Sequence, residues 1–300
     1  MNLTSVANVR SWIGSTTDTD NTLLTRLIAE ASRTSLNYMQ RPDLGLQTIT
    51  ETISGKGTSK IQLRNWPVIS VNSLVIDTVT IPQAANSSSW GYFLEPVTGG
   101  LAGRPQNLAV VAGTGQTGGF PSGYGVTAFR EPNCYYHRPF TRGIGNIIAN
   151  YTFGYCVQNE PQSVPASGSY IITPNAPYGP WAQDLGVSYA NGTALTAIAS
   201  GTPVKGQYIP PSLAGDTPTL VYTFAAADEG AAVLLSYNFV PYDIEQAVIE
   251  IVGERYRYRL RIGEASKSMG GQETASFLVK DGLTAAIQTR LNPYRLMWSV

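Results

Sequence analysis

The sequence predicts an α+β protein: a helical core with β-hairpin segments, carrying an inserted antiparallel β-sandwich of Ig-like type. Three observations predict it. Apolar residues recur every three to four positions near both ends of the chain, they alternate at period two in the middle, and one strand phrase occurs twice. "IIANYTF" at 147–153 and "VLLSYNF" at 233–239 both end in aromatic-x-Phe, and "SVP" after the first echoes "FVP" at the end of the second. A module inserted between two copies of one strand begins and ends at nearby points and leaves its host intact. The expected division is a core of 1–162 with 240–300 and an inserted domain of 163–239.

The first forty residues read as helix. Thr4 is placed to cap a short helix ending at Gly14, and Asp20 to cap a longer one. In "NTLLTRLIAEASRTSLNYMQRPD", Leu24, Leu27, Ile28, Ala31, Ser35 and Tyr38 form one stripe, and Pro42 marks the stop. Arg26 and Glu30 stand four apart on the wet side as a surface pair. From Thr48 the period becomes two: "TITETIS" and "SKIQLRN" flank "GKGT" as a hairpin, and "ISVNSLVID" follows Trp66-Pro67 as a strand. Residues 99–125 are Gly-rich and read as a long loop, after which "GNIIANYTFGY" returns as a strand. Across 163–240 charge nearly vanishes, and short β runs alternate with breakers at Asn191-Gly192, Gly201, Gly206 and Gly215. The final helix has Ile244, Ala247, Val248, Ile251 and Val252 on its stripe, with Asp243 and Glu245 in the electropositive first turn.

Arg255, Arg257, Arg259 and Arg261 alternate with Tyr256, Tyr258 and Leu260 at the end of that helix. At 100° per residue, Arg255 and Arg259 continue the apolar stripe and need carboxylate or carbonyl partners if buried, while Arg257 and Arg261 point nearly opposite. Arg257 can reach Glu254 three residues back. Two pairs on two faces are a poor nucleic-acid helix, which concentrates charge on one side.

Composition narrows the function. Lys plus Arg and Asp plus Glu are 20 each, so no net field draws the chain to DNA or an anionic membrane. Charged residues make up 13%, about half the roughly 25% of an ordinary domain, and a charge-poor surface favours life inside an assembly. "MNLTSVANVRSWIG" lacks a cationic start and an apolar stretch, so no signal peptide is expected, and no apolar run is long enough to cross a bilayer. Cys134 and Cys156 form no CxxC pair, and with His137 alone they complete no zinc site, so no metal is expected. Gly113-x-Gly115-x-x-Gly118 has the letters of a dinucleotide fingerprint, but "GGFPSGYG" follows and no helix can begin there, so no cofactor is expected. Cys134 and His137 in "NCYYHRPF" read as local packing. Asp228-Glu229-Gly230 and Asp281-Gly282 read as turn carboxylates, so no catalytic residue is assigned and the chain reads as a non-enzyme.

Several phrases follow one another in a set order: a capped helix ending in "NYMQRPD", "TETISGKGTSKIQLRNWPVISVNSL", "GNIIANYTFGY", "VPYDIEQAVIEIVGERY", "IGEASKSMGGQETASF" and a short helix closing in "LNPYR". In this order the chain resembles the head-to-tail connector (adaptor) proteins of tailed bacteriophages, over 1–160 and 240–300. The insert, through "YANGTALT", "GQY" and "YTFAAADEGAAVLLSY", is more loosely similar to β modules of phage structural proteins. The resemblance implies a helical connector core and a homo-oligomeric ring of twelve subunits at the neck of the virion, made in the host cytoplasm. The portal protein would lie on one face and a downstream neck or tail protein on the other, with dsDNA passing through the channel without sequence readout and no membrane partner. Portal-contact candidates are Lys267, Met269, Gln272 and Phe277 in the 266–277 segment, and Tyr294, Arg295, Leu296, Met297 and Trp298 in the tail. Arg255, Arg257, Arg259 and Arg261 are the subunit-contact or channel candidates. The alternatives are a glycan-binding or other β-module decoration protein, using Tyr178, Trp181 and Tyr189, or a non-specific DNA-binding protein.

Overall fold

The computed structural model describes residues 1–86, 89–95, 106–111, 140–166, 168–213, 218–259, 266–269, 273–276 and 283–296. The architecture is α+β, built from helices and small antiparallel or mixed sheets. Two compact units divide the chain: Met1–Gly45 with Tyr155–Arg295, and Leu46–Gly154, to which Leu296 also belongs.

The helices lie in the first unit. α1 (Val6–Ile13) starts at Ser5, one residue later than the sequence suggests: the Ser5 hydroxyl accepts from the Asn8 N–H at 3.2 Å, while Thr4 is drawn to Glu245. It ends at Gly14, whose φ of 73° is left-handed backbone that glycine adopts without strain. α2 (Asn21–Met39) buries Leu24, Ile28, Ala31 and Ser35, with Leu27 and Tyr38 half-buried, and stops before Pro42 with Gln40 left-handed. Asp20 stands at its N-cap but makes no side-chain cap bond, because its carboxylate is engaged elsewhere. α3 (Tyr242–Tyr258) buries Ile244, Ala247, Val248, Ile251 and Val252, and α1, α2 and α4 (Ala285–Leu291) all pack on it. Between α3 and α4, β15 (Ser266–Met269) and β16 (Glu273–Ser276) pair with each other as a ribbon.

In the second unit β1 (Gln47–Gly55), β7 (Gly143–Phe153), β3 (Val68–Ile76) and β4 (Val79–Ile81) form one sheet in that order. A second sheet orders β2 (Lys60–Gln62), β6 (Asn107–Val111) and β5 (Gly91–Glu95), and the two share one core that includes Leu63, Leu74, Leu108, Ile147 and Tyr151. In the first unit β10 (Trp181–Tyr189), β14 (Ala232–Phe239) and β8 (Cys156–Ser163) form one sheet. Its companion orders β11 (Thr196–Ala197), β12 (Gln207–Ile209), β13 (Tyr222–Phe224) and β9 (Ile171–Ile172), around a core with Trp181, Tyr208, Tyr222 and Tyr237. β11 runs parallel to β12, against the all-antiparallel expectation.

These two β modules are the same design twice. β1, β3 and β7 correspond to β8, β10 and β14, with the last strand in the middle and antiparallel to both others. Val68↔Phe153 matches Trp181↔Phe239; after one bulged residue Val71↔Tyr151 matches Asp184↔Tyr237; after another, Ser73↔Asn150 matches Gly186↔Ser236. On the other flank Glu51 lies opposite Ala149 and Glu160 opposite Leu235, two residues before the tyrosine whose hydroxyl donates to that glutamate in each module. The order β2-β6-β5 likewise matches β9-β13-β12. The echo "IIANYTF"/"VLLSYNF" therefore marks the closing central strand of each of two tandem modules, and β8 belongs with the second.

Two expectations from the sequence change. "TITETIS" and "SKIQLRN" contribute strands but no hairpin, since β1 pairs with β7 and β2 with β6. Gly57 and Thr58, held to Phe140, carry the chain from one layer to the other. Within the stretch read as loop, β6 is a strand with Leu108 and Ala109 buried; residues 112–125, with Gly113, Gly115 and Gly118, lie outside the described residues, as do Cys134 and His137.

Candidate functional site

The arginine helix of the first unit is tied to α2 by ion pairs. Arg255 reaches Glu30 at 2.9 Å, so Glu30 pairs across helices rather than with Arg26 as the spacing suggested. Arg259 grips Asp20 with both amino groups, Nη1 to Oδ1 and Nη2 to Oδ2 at 3.0 Å each, a fork geometry that a lysine cannot make. Tyr256 donates to the same carboxylate at 2.5 Å, and the Arg259 guanidinium lies over the Tyr256 ring at 4.2 Å. The hydrogen bond from Arg259, then that from Tyr256, holds the Asp20 carboxyl below its ordinary range. Both arginines on the apolar stripe thus find the carboxylates they need, and neither is free to hold phosphate. Arg257 is exposed, and Arg261 lies outside the described residues.

Segments far apart in sequence meet at the far end of α2. The Tyr38 hydroxyl donates to Asn292 Oδ1 at 2.6 Å, Arg41 Nε to the Tyr294 carbonyl at 2.7 Å, and the Tyr294 hydroxyl to Asp243 at 3.1 Å. The Tyr155 ring packs edge-on against Phe239 and Tyr294, with the Arg41 guanidinium 5.6 Å from its centre. Burial drives the Arg41 pKa down and that of Tyr155 up; burial, then Asp243, lifts Tyr294 to about 12. Arg295 is exposed with its guanidinium 5.7 Å from the Tyr38 ring centre.

The tail is therefore less open than the sequence implies. Tyr294 is half-buried in this knot and Leu296 is buried, while Met297 and Trp298 lie outside the described residues. Lys267 and Met269 sit on β15 opposite Ala275 and Glu273, and Gln272 and Phe277 lie outside the described residues.

The sequence presents Glu245 as a helix-dipole partner; in the fold it is a buried latch. Its Oε1 accepts from the Thr4 hydroxyl at 3.1 Å and from Asn8 Nδ2 at 2.7 Å, pinning the chain start and α1 to α3. Burial raises its pKa, against the pull of those two hydrogen bonds. It borders a cavity of about 20 Å³, room for one water, with Leu3, Trp181, Leu213, Leu220 and Val240. About two turns further along α3, Trp12, half-exposed at 51%, lies at Gly253, where a Cβ would come within 3.2 Å of the indole. No local sequence signal pointed to either contact, because each joins residues more than two hundred positions apart.

Three acids of the second β module are engaged by tyrosines. Asp184 accepts from Tyr208 at 2.6 Å and Tyr222 at 3.0 Å, Asp228 from Tyr189 at 2.6 Å, and Glu160 from Tyr237. Asp228, in the turn that the sequence suggests, also accepts from the Gly206 N–H at 3.0 Å and is buried. Glu160, Asp184 and Asp228 are thus each held by a tyrosine hydroxyl, unlike the pair of acids facing one cleft that glycoside hydrolysis needs. Of the aromatics suggested for sugar stacking, Trp181 is buried, Tyr189 is half-buried on Asp228, and Tyr178 alone is exposed. Among the described residues no cluster of His, Cys, Asp and Glu is placed to hold a metal, and no helix is long and apolar enough to cross a membrane.

Neither a family model nor a curated protein matches the chain.

Proposed function

We propose that this protein is a structural adaptor of a tailed-bacteriophage virion. It forms a ring of identical copies, twelve in number, between the portal protein and the next neck or tail protein, with dsDNA passing through the centre. Its helices belong to the connector core, and the inserted domain is an Ig-like sandwich. One observation supports this reading above the others. The phrases that carry the resemblance, "NYMQRPD", "GNIIANYTFGY", "VPYDIEQ" and "LNPYR", supply Tyr38, Arg41, Tyr155, Asp243, Asn292 and Tyr294, and these meet in the single knot at the end of α2. A shared order of short phrases gains weight when their residues touch, because packing is what would keep them together.

The function is geometric. Asp184 and Asp228 are taken up by tyrosines, and Arg255 and Arg259 by Glu30 and Asp20, which favours shape and surface over chemistry. The arginine helix then serves subunit contacts, with exposed Arg257 the described member able to face a channel. Weak, unspecific phosphate attraction suits a duct through which DNA must slide. Deleting the gene from the phage tests the reading: filled heads without tails, rescued by supplying the protein in trans, are expected. Fully tailed infectious particles would overturn it.

A further inference from the structure

The cavity beside Glu245 is bordered by a carboxylate with one oxygen unused. Glu245 is 7% exposed, and its Oε1 takes both hydrogen bonds that reach it, from the Thr4 hydroxyl at 3.1 Å and Asn8 Nδ2 at 2.7 Å. Oε2 accepts from none of the described residues. No other residue lining the cavity carries a charged side chain. The cations of the neighbouring chain start are engaged elsewhere: the Met1 ammonium pairs with Asp43 at 3.3 Å, and Arg10 pairs with Asp18. The indole N–H of Trp181, on the cavity wall, donates to the Tyr222 hydroxyl at 3.1 Å and does not serve the acid either. An ionised carboxylate held out of water without a counter-charge is unfavourable, and burial accordingly raises the pKa of this one. The electropositive first turn of α3 offsets only part of that charge.

We infer that this cavity binds a primary alkylammonium group, the head of a lysine side chain or of a free alkylamine. Three features select that chemistry. The enclosed space of about 20 Å³ takes one water-sized group, which suits an ammonium head and excludes the planar guanidinium of arginine. Glu245 Oε2 is an unused acceptor and the Thr4 hydroxyl beside it keeps lone pairs, while an ammonium brings three donors and the missing positive charge. The remaining walls are largely apolar. Trp181 and Val240 are buried, Leu213 is half-buried and Leu220 is 42% exposed, so hydrocarbon leads from the acid toward solvent. Such walls hold the methylene stem of an amine while its head meets the carboxylate. They supply few of the oxygen ligands that a metal cation requires. A water molecule would fill the same space but leave the charge uncompensated. The site does not rest on the adaptor reading, and it stands or falls separately.

The test is saturation-transfer NMR on the full chain at neutral pH with n-butylammonium chloride, which has the stem and head of a lysine without the peptide. Saturable binding is expected. Tetramethylammonium at the same ionic strength carries the charge but has no N–H and is too wide, and should bind about tenfold more weakly or worse. Glu245→Gln keeps an acceptor for Thr4 and Asn8 but removes the charge, and should also lose about tenfold or more in affinity. Leu220→Ser, on the exposed wall, should weaken butylammonium severalfold, and it replaces Glu245→Gln if circular dichroism shows a folding defect in that variant. Nα-acetyl-lysine amide separates the two sources. Binding as tight as that of butylammonium assigns the site to a lysine of a partner protein, and its exclusion assigns the site to a free alkylamine. Butylammonium that does not saturate overturns the inference. So does equal binding to wild type and variant, or binding no tighter than that of tetramethylammonium, either of which would leave the cavity to a water.

Discussion

Replacing Asp184 by alanine asks directly whether the acids of the second β module are structural. Asp184 accepts from the Tyr208 hydroxyl at 2.6 Å, the Tyr222 hydroxyl at 3.0 Å and the Gly186 N–H at 3.2 Å. Both tyrosines are almost wholly buried, and Tyr222 keeps only its acceptor bond from Trp181 Nε1. A buried polar group left without its partner costs about 1–3 kcal/mol, so two hydroxyls set a range of about 2–6 kcal/mol. Removing a half-buried carboxylate returns part of that, since its desolvation no longer opposes folding, and about 3 kcal/mol of net loss is expected. Asp184→Asn keeps one acceptor oxygen and should lose about 1 kcal/mol. Urea unfolding followed by tryptophan fluorescence measures both, and an unchanged m-value would show that the denatured state is the same. Adding Tyr208→Phe and Tyr222→Phe to the alanine variant should recover part of the loss, because no hydroxyl is then stranded. If Asp184→Ala unfolds within about 0.5 kcal/mol of the wild type, the tyrosines do not depend on the acid, and the structural assignment is wrong.

Three further outcomes follow from the same geometry. Glu245 has a raised folded-state pKa, so its contribution is fully present below its ordinary value of 4.5 and is lost as pH rises through the folded value. Glu245→Gln keeps an acceptor for Thr4 and Asn8 without the buried charge. The melting temperature of the variant relative to wild type should climb as pH rises from about 4.5 toward neutrality, and a difference independent of pH would contradict the latch. Burial, and then the carboxylate each one meets, pushes the hydroxyl pKa values of Tyr208 and Tyr237 upward, and Tyr189 to about 12. Their stabilisation is present below the ordinary value of 10.0 and lost as pH climbs above it. Phenolate absorbance should therefore show these groups ionising together with loss of the β signal in circular dichroism, and complete ionisation near pH 10 in a folded protein would refute the placement. Gly253→Ala places a methyl 3.2 Å from the Trp12 indole while improving helix propensity by about 1 kcal/mol. The two effects should nearly cancel in stability while the emission assigned to Trp12, taken as the difference from Trp12→Phe, moves; an unmoved spectrum would place the indole elsewhere.

The helices were legible because their information is local. Leu24, Ile28, Ala31 and Ser35 fall on one face at any register, and Gly14 ends α1 by its own backbone freedom. Capping was less legible, since a cap competes with partners the sequence does not reveal: Asp20 is taken by Arg259, and Thr4 by Glu245. The β segments were found as strands, but their partners were misread. "GKGT" looks like a hairpin turn, yet β1 gains far more by pairing along its length with β7, some ninety residues on, than the three residues of β2 could offer. Glycine enrichment averaged over 99–125 hid "NLAVV", whose buried Leu108 identifies a strand. The repeated strand phrase held more than was drawn from it. The phrase itself aligns Tyr151 with Tyr237, but only the register shows that each meets a glutamate on the flanking strand of one of two tandem modules. The arginine pairs were anticipated from helical geometry, although which carboxylates meet them was not.

The central claim is that this chain works as one of many copies fitted around a duct. Electron microscopy of the purified protein, alone and mixed with the portal protein that the proposed function requires, examines that most directly. The account predicts an annular cap of twelvefold symmetry on one end of the portal, with a central opening wide enough for duplex DNA. A protein that leaves the portal bare at every concentration tried would contradict it.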